Sequence, residues 1–467
     1  MQGNHPADIS ADTESAADFA SADEQNRRAL PWSLGAGIFN SIFALWTFNG
    51  SVFLLFLNEL GLPKAEIGAL LSLFPFCGLL ALGFAPVAAR LGRKRVFLAC
   101  YGSRKVVMAG LLLLPWVVAA AGLSTAMLYL FFIVIVFAVL RSLAETAYFP
   151  WLQQFVPNAV RGKYAAVAIV LGAGASSIAL LIARQVLDQG VGLSRYLLLL
   201  GIGSVLGLIG VAMMARVPGG EPVPATTSRG THLADMAEAL RDSNFIAYLV
   251  GMGAVTIGTM LLISFLPLYV KDNVGLPSGT VVALDTAIML GGVLASFVWG
   301  WLADRVGSRP VLTLSAGLCI LVPVGWVALS PQAVQVAAFC AALYFIYGVA
   351  SNGINIGAGR LLFNSVIPHE KSAAYTAIYY AWMGVTGGLA PLLAGQLLSI
   401  TQGWRVPIGA SYIDGNMLLF ILSTVVLVLG WYTYRMVRPD DQFSTRSAIQ
   451  SGVAKLARMA MRFVNSR

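Results

Sequence analysis

Several ionisable side chains lie inside long apolar stretches of the sequence. Arg104 and Lys105 are adjacent in one stretch, and Arg141 and Glu145 stand one helical turn apart in the next. Charged residues inside a membrane span are costly to bury, so they are candidates for binding a solute or a proton. Two arrangements are open: Arg104 or Lys105 pairs with Glu145 and holds two helices together, or these side chains face a solute. Asp285 is a further carboxylate, either an external cap or a protonation site.

Basic side chains outnumber acidic ones within the apolar stretches. The basic residues are Arg104, Lys105, Arg141, Arg184 and Arg360, and the acids that clearly oppose them are Glu145 and Asp285. A cavity with an excess of positive charge attracts negative solutes. The balance therefore favours an anionic or zwitterionic solute.

The composition excludes a soluble protein. Of 467 residues, 58% are hydrophobic and 11% are charged, and the mean hydropathy is +0.78. Soluble domains carry about 25% charged residues. The net charge of +9 is better explained by basic cytoplasmic loops than by nucleic-acid binding, because no basic, aromatic-interleaved soluble domain is visible.

Apolar segments of about 20 residues, long enough to cross a bilayer as helices, recur along the chain. They lie at residues 33–57, 66–88, 96–121, 126–150, 164–186, 195–215, 245–270, 280–303, 311–329, 334–362, 375–400 and 415–436. A long polar gap follows the sixth segment. The predicted fold class is an all-α membrane protein with 12 transmembrane helices in two sets of six.

The predicted organisation has five segments. They are a disordered cytoplasmic tail at 1–30, an N-terminal half at 31–216, a linker with a short amphipathic helix at 217–243, a C-terminal half at 244–436 and a basic amphipathic tail at 437–467. Lys and Arg concentrate in the loops on one side, so both termini are predicted to be cytoplasmic. The basic tail is predicted to lie on an anionic leaflet, with a solvated tail as the alternative.

Two loops indicate an internal repeat. GWLADRVGSRP follows the eighth span, and ARLGRKR follows the second. An offset of 215 residues aligns Gly92 with Gly307 in these loops, and an offset of 211 residues aligns Tyr164 with Tyr375 further on. Two landmarks at nearly the same offset indicate two six-helix halves in parallel repeat.

Together with the twelve spans, the long central loop and the repeat, GWLADRVGSRP resembles the signature loop of the major facilitator superfamily, G-x-x-x-D-R-x-G-x-R. The matching residues are Gly300, Asp304, Arg305, Gly307 and Arg309. The resemblance covers about residues 30–437. It implies a solute carrier that works by alternating access around one central site between its halves. It also implies that Asp304 helps to close the cytoplasmic side against the eleventh helix, which begins near Ser372. The alternative is that the charged residues of this loop only set the orientation of the protein in the membrane.

The first half departs from this signature. Ala89 stands where the acid is expected, so one acid of a symmetric gate is missing. The predicted gating residues are Asp304, Arg305, Gly307, Arg309, Arg90, Gly92 and Arg93. Asp304 is the best supported of them.

The fourth span contains VLRSLAETA, which loosely resembles the family's fourth-helix arginine motif. Glu145 stands where a glycine is usual. The resemblance implies that Arg141 tunes a coupling carboxylate, and the predicted coupling residues are Glu145, Arg141 and Asp285.

In the family, the first, fourth, seventh and tenth helices line the cavity. The predicted solute-binding residues are Arg141, Arg360, Asn49, Trp46, Asn352, Asn355, Tyr344 and Tyr347, with Asn40 and Thr47 as similar polar candidates. Asn352 is the repeat mate of Arg141. The alternative for these polar residues is that they hold helices together.

The predicted function is secondary active transport of a small anionic or zwitterionic organic solute by a monomer in a bacterial inner membrane, with proton coupling favoured over sodium. Efflux of drugs or metabolites by an antiporter and a membrane sensor on the same scaffold are the alternatives. No enzyme activity, cofactor or metal site is predicted, because no nucleophile–base pair is visible and His5, His232 and His369 lie in tails or loops.

Overall fold

The computed structural model describes residues 7–157, 160–190, 192–222, 235–329, 335–368, 372–408 and 411–439. The helices up to residue 214 are α1 (Ala7–Thr47), α2 (Ser51–Glu59), α3 (Lys64–Gly78), α4 (Leu80–Leu91), α5 (Arg93–Ala109), α6 (Leu114–Phe155), α7 (Arg161–Asp188) and α8 (Leu193–Met214). The helices from residue 243 onward are α9 (Ser243–Ile263), α10 (Leu266–Asp272), α11 (Ser278–Val306), α12 (Ser308–Ala328), α13 (Val336–Leu361), α14 (Ser372–Ile400) and α15 (Gly415–Thr433).

The predicted helical membrane architecture is confirmed. Within the described residues, ten helical segments are long and apolar enough to cross a membrane. One of them, Arg93–Phe155, has 63 residues, about three times the length that one crossing needs. It breaks at Gly122, whose φ of +80° suits glycine, so it contains two crossings. The pair α3 and α4 adds a broken apolar segment, and the sum is consistent with twelve spans.

The helices carry apolar side chains on their outer surfaces as well as inside. Leu128 and Phe297 are each 72% exposed, and Trp116 is 69% exposed. Such side chains suit contact with lipid, because a bilayer solvates apolar surface and leaves the backbone polar groups to pair within helices. The exposed surface therefore agrees with membrane insertion.

Contacts divide the chain into two compact units. The first unit falls within Met1–Asn49, Leu80–Ala179 and Tyr196–Thr226, and the second within Gly50–Leu79, Leu180–Arg195 and Thr227–Arg467. Buried aromatic residues form the core of each unit: Trp151, Phe97 and Tyr101 in the first and Tyr248, Phe245 and Tyr434 in the second. This division separates α1 from α2 and α3 from α4, whereas the sequence-based halves keep whole spans together; those domain bounds stay a prediction.

Two local features differ from the sequence-based expectations. The tail at 1–30 was expected to be disordered, but α1 begins at Ala7. This segment is rich in Ala, which favours helix, and Arg28 pairs with Glu24 at 3.0 Å along it. A short antiparallel hairpin, β1 (Val406–Ile408) and β2 (Ser411–Ile413), pairs Val406 with Ile413 between α14 and α15. The basic tail lies almost entirely outside the described residues, as does the first part of the predicted linker helix, of which residues 235–239 are helical.

Candidate solute-binding site

A cavity of about 350 Å³ lies within the first unit, between α1, α5 and α6. Its lining residues are Ser33, Ala36, Gly37, Asn40, Phe97, Tyr101, Arg104, Ala144, Glu145, Tyr148, Phe149 and Met214. The mixture of aromatic walls with a few polar groups is typical of sites for small organic molecules. We therefore take this cavity as the candidate binding site.

Two buried cations converge on one amide oxygen beside this cavity. Arg104 Nη2 donates to Asn40 Oδ1 at 3.1 Å, and Lys105 Nζ donates to the same oxygen at 2.9 Å. Arg104 is 4% exposed and Lys105 is fully buried. Among the described residues, neither cation forms a salt bridge, and the amide dipole of Asn40 and nearby aromatic rings stabilise their charge.

Aromatic rings surround these cations. Lys105 Nζ lies 3.7 Å from the ring centre of Phe43 and 4.1 Å from that of Tyr101, and Arg104 Cζ lies 4.5 Å from the ring centre of Tyr101. Ring faces attract cations, most strongly where water is excluded. The buried Arg104 Nε has no hydrogen-bond partner within the described structure. The site thus retains donor capacity and positive charge for an incoming anion.

The expected ion pair between α5 and α6 does not form. Glu145 Oε1 instead accepts from Arg141 Nε at 2.8 Å on the same helix, with the two side chains 49% and 33% exposed. The spacing of four residues brings these side chains together on one face of α6, while Arg104 and Lys105 point to Asn40. The predicted pairing of Arg104 or Lys105 with Glu145 is therefore wrong, although Arg104 and Glu145 line the same cavity.

Asp285 lies in the second unit, on α11. Its Oδ2 accepts a hydrogen bond of 3.0 Å from the backbone N–H of Ser51, the first residue of α2. Tyr344 on α13 is 2% exposed, and its hydroxyl has no partner among the described groups. Of the three predicted coupling residues, Arg141 and Glu145 are thus brought together, while Asp285 stands in a separate polar cluster.

The predicted solute contacts of the first span have different surroundings. Trp46 is 5% exposed and donates from Nε1 to Ala179 O at 2.9 Å, so it joins α1 to α7. Thr47 donates back to Phe43 O at 2.6 Å within α1. Asn49 is exposed in the break between α1 and α2. Of the first-span candidates, only Asn40 lines the cavity.

The predicted solute contacts of the tenth span are spread along α13. Asn352 is partly buried with Oδ1 unpartnered, and Asn355 is exposed. Tyr347 packs against the core of the second unit. Arg360 lies in the last turn of α13 and pairs with Asp304 at 2.6 Å. Arg360 therefore lies at the signature loop, where it pairs with the loop acid Asp304 of α11, and not in the cavity lining.

The signature loop between α11 and α12 is held by its basic residues. Gly307 follows the last residue of α11 and has a φ of +84°. Arg305 Cζ lies 4.4 Å from the ring centre of Trp301. Arg309 donates to the backbone carbonyls of Tyr434 and Arg435 after α15. The acid of the loop is thus engaged with the end of α13, whereas the family resemblance led us to expect the start of the eleventh helix.

The matching loop between α4 and α5 contacts the start of the linker. Gly92 adopts φ +95°, and the Lys94 backbone N–H donates to Gly220 O at 3.1 Å. Arg90 is exposed and Arg93 is partly buried. In the first half, backbone contacts therefore hold the loop, in keeping with the absence of an acid at Ala89.

Sequence reasoning missed the aromatic walls of the cavity. Tyr101 lies three and four residues before the two cations and so shares their face of α5. Phe97 stacks on Tyr101 with ring centres 4.5 Å apart. Periodicity could have identified Tyr101 as a neighbour of Arg104, but not Tyr148, which reaches the cavity from α6.

Comparison with known proteins agrees with this architecture. The sequence profile described as Major Facilitator Superfamily matches residues 34–391 and 248–464. No curated protein matches the sequence significantly.

Several solved transporters share the fold. A mutant of the nucleoside transporter NupG aligns with a TM-score of 0.67 at 15% identity, covering 87% of this chain and 99% of that one. A bacterial homologue of the iron transporter ferroportin, in an inward-facing state, aligns with a TM-score of 0.66 at 13% identity over 88% and 98% of the two chains. A D-xylose–proton symporter aligns with a TM-score of 0.64 at 13% identity, covering 88% of this chain and 98% of that one. The profile match, which extends over most of the sequence, shows that the chain belongs to the major facilitator superfamily, a family of membrane transporters rather than enzymes.

Proposed function

We propose that this protein is a secondary active transporter that carries a small organic anion across the membrane by alternating access, coupled to protons. The observation that carries the proposal is the pair of buried cations, Arg104 and Lys105, beside the cavity of the first unit. They share a neutral acceptor, Asn40 Oδ1, and no described carboxylate pairs with them.

Burial makes this arrangement costly unless an anion joins it. An ion removed from water loses several kcal/mol of solvation, and an opposite charge at short range offsets part of that loss. The unpartnered Arg104 Nε is a donor for a carboxylate, phosphate or sulfonate oxygen, and such charge-assisted bonds are the strong ones. The binding free energy of an anion would thus exceed that of a neutral molecule of the same shape.

The other cavity residues narrow the solute class. Phe97, Tyr101, Tyr148 and Phe149 offer apolar surface to the body of the solute. Glu145 also lines the cavity, but Arg141 already neutralises it at 2.8 Å. A monoanion with an apolar or aromatic body therefore fits better than a zwitterion, whose positive end would have to displace Arg141.

Thermal unfolding of the purified protein would test the proposal, using aromatic and aliphatic carboxylates, their amides and zwitterionic amino acids as ligands. Carboxylates should raise the unfolding temperature, and the matched neutral amides should not. Arg104→Gln should weaken anion binding by about tenfold or more, equivalent to about 1.4 kcal/mol.

Arg184→Gln is the matched control, because Arg184 is exposed, pairs with Asp188 at 3.4 Å and is not one of the residues that line the cavity. Stabilisation by amides as strong as that by carboxylates would contradict the anion assignment. Unchanged anion affinity in Arg104→Gln would show that this cavity is not the anion-binding site.

Proton coupling and alternating access are parts of the same proposal. One of the structurally similar transporters is a D-xylose–proton symporter, so this fold accommodates proton coupling. We place the Asp304–Arg360 pair, at 2.6 Å, among the contacts that change when the cytoplasmic side opens. Accumulation of a carboxylate in proteoliposomes under an imposed pH gradient would support symport, and export under that gradient would support the efflux alternative. A membrane sensor would bind the anion but not move it in either assay.

The proposed setting is a monomer in a bacterial inner membrane with both termini in the cytoplasm and the basic tail on an anionic leaflet. The positive-inside distribution of Lys and Arg supports this orientation. Reporter fusions at each terminus would test it, and binding of the tail to vesicles with and without anionic lipid would test the contact with the leaflet.

A further inference from the structure

The first membrane span is interrupted, and its second part begins at a carboxylate. Between α1 and α2, residues 48–50 are not helical, and Asn49 is exposed there. The first backbone N–H groups of any helix have no partner within the helix. In α2 the first of them, from Ser51, donates to Asp285 Oδ2 on α11 at 3.0 Å. This bond joins the start of α2 to α11 inside the second unit.

The surroundings of this carboxylate are neutral. Among the described residues, Asp285 has no salt bridge. Tyr344 on α13 is 2% exposed, lies close enough to interact electrostatically with Asp285, and has an unpartnered hydroxyl. Of the charged side chains on elements that pack near α11, Glu59 of α2 pairs with Lys271 of α10 at 3.4 Å, and Arg184 of α7 pairs with Asp188, which lies against Gly279 of α11. No described cation is therefore available to neutralise Asp285.

A proton suits this site better than a metal ion. The N-terminus of α2 carries partial positive charge, which favours an anion next to it and disfavours a second cation such as sodium. Protonation would convert a charge-assisted hydrogen bond into a neutral one of roughly half the strength. Binding of a proton would thus weaken the attachment of α2 to α11, and its release would restore the attachment.

We propose that Asp285 is a proton-binding site that holds the start of α2 through the Ser51 N–H strongly in its deprotonated form and only weakly when protonated. The cluster is separate from the Arg141–Glu145 pair, which lies in the first unit. Its role in transport rests on the proposed proton coupling. The proton-dependent bond itself does not depend on the identity of the solute.

Infrared difference spectroscopy of the protein in lipid nanodiscs, compared between acidic and alkaline pH, would test the site. All protonated Asp and Glu side chains absorb as C=O on acidification, so the band of Asp285 is a separate component that the wild type should show in addition to theirs. Asp285→Asn should lose this band, whereas Glu145→Gln, the matched control, should keep it. A band that is absent in the wild type or retained in Asp285→Asn would overturn the inference.

A second pair of variants tests the bond to α2 without altering the carboxylate. Ser51→Pro removes the N–H at the first helical position, where proline is tolerated, and Ser51→Ala keeps it. The C=O band should shift in Ser51→Pro and stay in place in Ser51→Ala. Equal bands in both variants would contradict the bond, even if Asp285 takes up a proton.

Transport assays then connect the site to coupling. In proteoliposomes, Asp285→Asn should lose solute accumulation driven by a pH gradient but keep exchange of labelled for unlabelled solute. Gradient-driven accumulation at the wild-type level in Asp285→Asn would overturn the role in coupling. If the wild type accumulates no anion at all, the proposed function fails, and the infrared result still decides whether Asp285 binds the proton.

Discussion

The hydroxyl groups of Tyr164 and Ser33 lie 2.6 Å apart and join α7 to the membrane part of α1. In the second unit, the hydroxyl of Tyr375 on α14 donates at 3.3 Å to Asp242, which caps the start of α9. An offset of 211 residues relates the two tyrosines in the sequence. Each tyrosine therefore anchors the fifth span of one repeat to the first span of the same repeat.

We predict that Tyr164→Phe lowers the free energy of unfolding by about 1 kcal/mol, the usual net value of one hydrogen bond. Tyr375→Phe should have a similar effect, because its hydroxyl has the equivalent position in the repeat. Tyr380→Phe is the control, since that side chain is 59% exposed. Denaturation of the three variants in detergent would measure the differences, and equal stability of all three would contradict a structural role for these bonds.

Asn40 is the residue at which the charge of the site can be changed with the least change in shape. Asn40→Asp places a carboxylate where two cations already converge, at 2.9 and 3.1 Å. We predict that it stabilises the protein by about 2 kcal/mol, as hydrogen bonds to charged groups do, and that it abolishes anion binding by supplying the missing negative charge. Thermal unfolding with and without a carboxylate ligand would measure both effects.

The control for this change is Asn355→Asp, which makes the same substitution at an exposed position on α13. It should alter stability by less than about 0.5 kcal/mol. If Asn40→Asp kept full anion affinity, Arg104 and Lys105 would not be the cations that bind the solute.

Asp304 and Arg360 form an exposed pair, with side chains 67% and 40% exposed. Such pairs contribute less than about 1 kcal/mol to stability, so Asp304→Asn should leave the unfolding temperature nearly unchanged. We predict that it nevertheless weakens the outward-facing state, because the lost contact lies at the signature loop. Distances between spin labels on the cytoplasmic loops would report the change in populations. Wild-type gating in Asp304→Asn would exclude the loop acid as a latch.

Gly348 allows α13 to approach α11 closely. A Cβ at this position would overlap the backbone carbonyl oxygen of Ile288, and a backbone atom cannot move aside as a side chain can. Gly348→Ala should therefore destabilise the protein by about 2 kcal/mol or more. Gly359→Ala on the same helix has nothing within 4 Å and should be neutral or slightly stabilising. Equal stability of the two variants would show that the helices can separate without cost.

Much of the fold can be predicted from the sequence because the bilayer constrains it strongly. Apolar segments of sufficient length must be helical, since backbone groups in lipid have no other partners. The positions of the spans and the tyrosine pair follow from such local patterns. The N-terminal segment shows where this reasoning fails: its polar composition suggested disorder, whereas its Ala content favours the helix that begins at Ala7.

The candidate site could be predicted only in its components. The sequence determined that Arg104, Lys105, Glu145 and Asp285 lie within membrane spans, because charge and hydropathy are read locally. Only the tertiary structure decided which groups meet. Lys105 and Arg104 donate to Asn40 instead of pairing with Glu145, and Asp285 accepts a hydrogen bond from the backbone of Ser51. The physical reason is that the rotation of each helix about its axis depends on packing against helices that are distant in sequence, and a backbone N–H at a helix break has no signature in residue types.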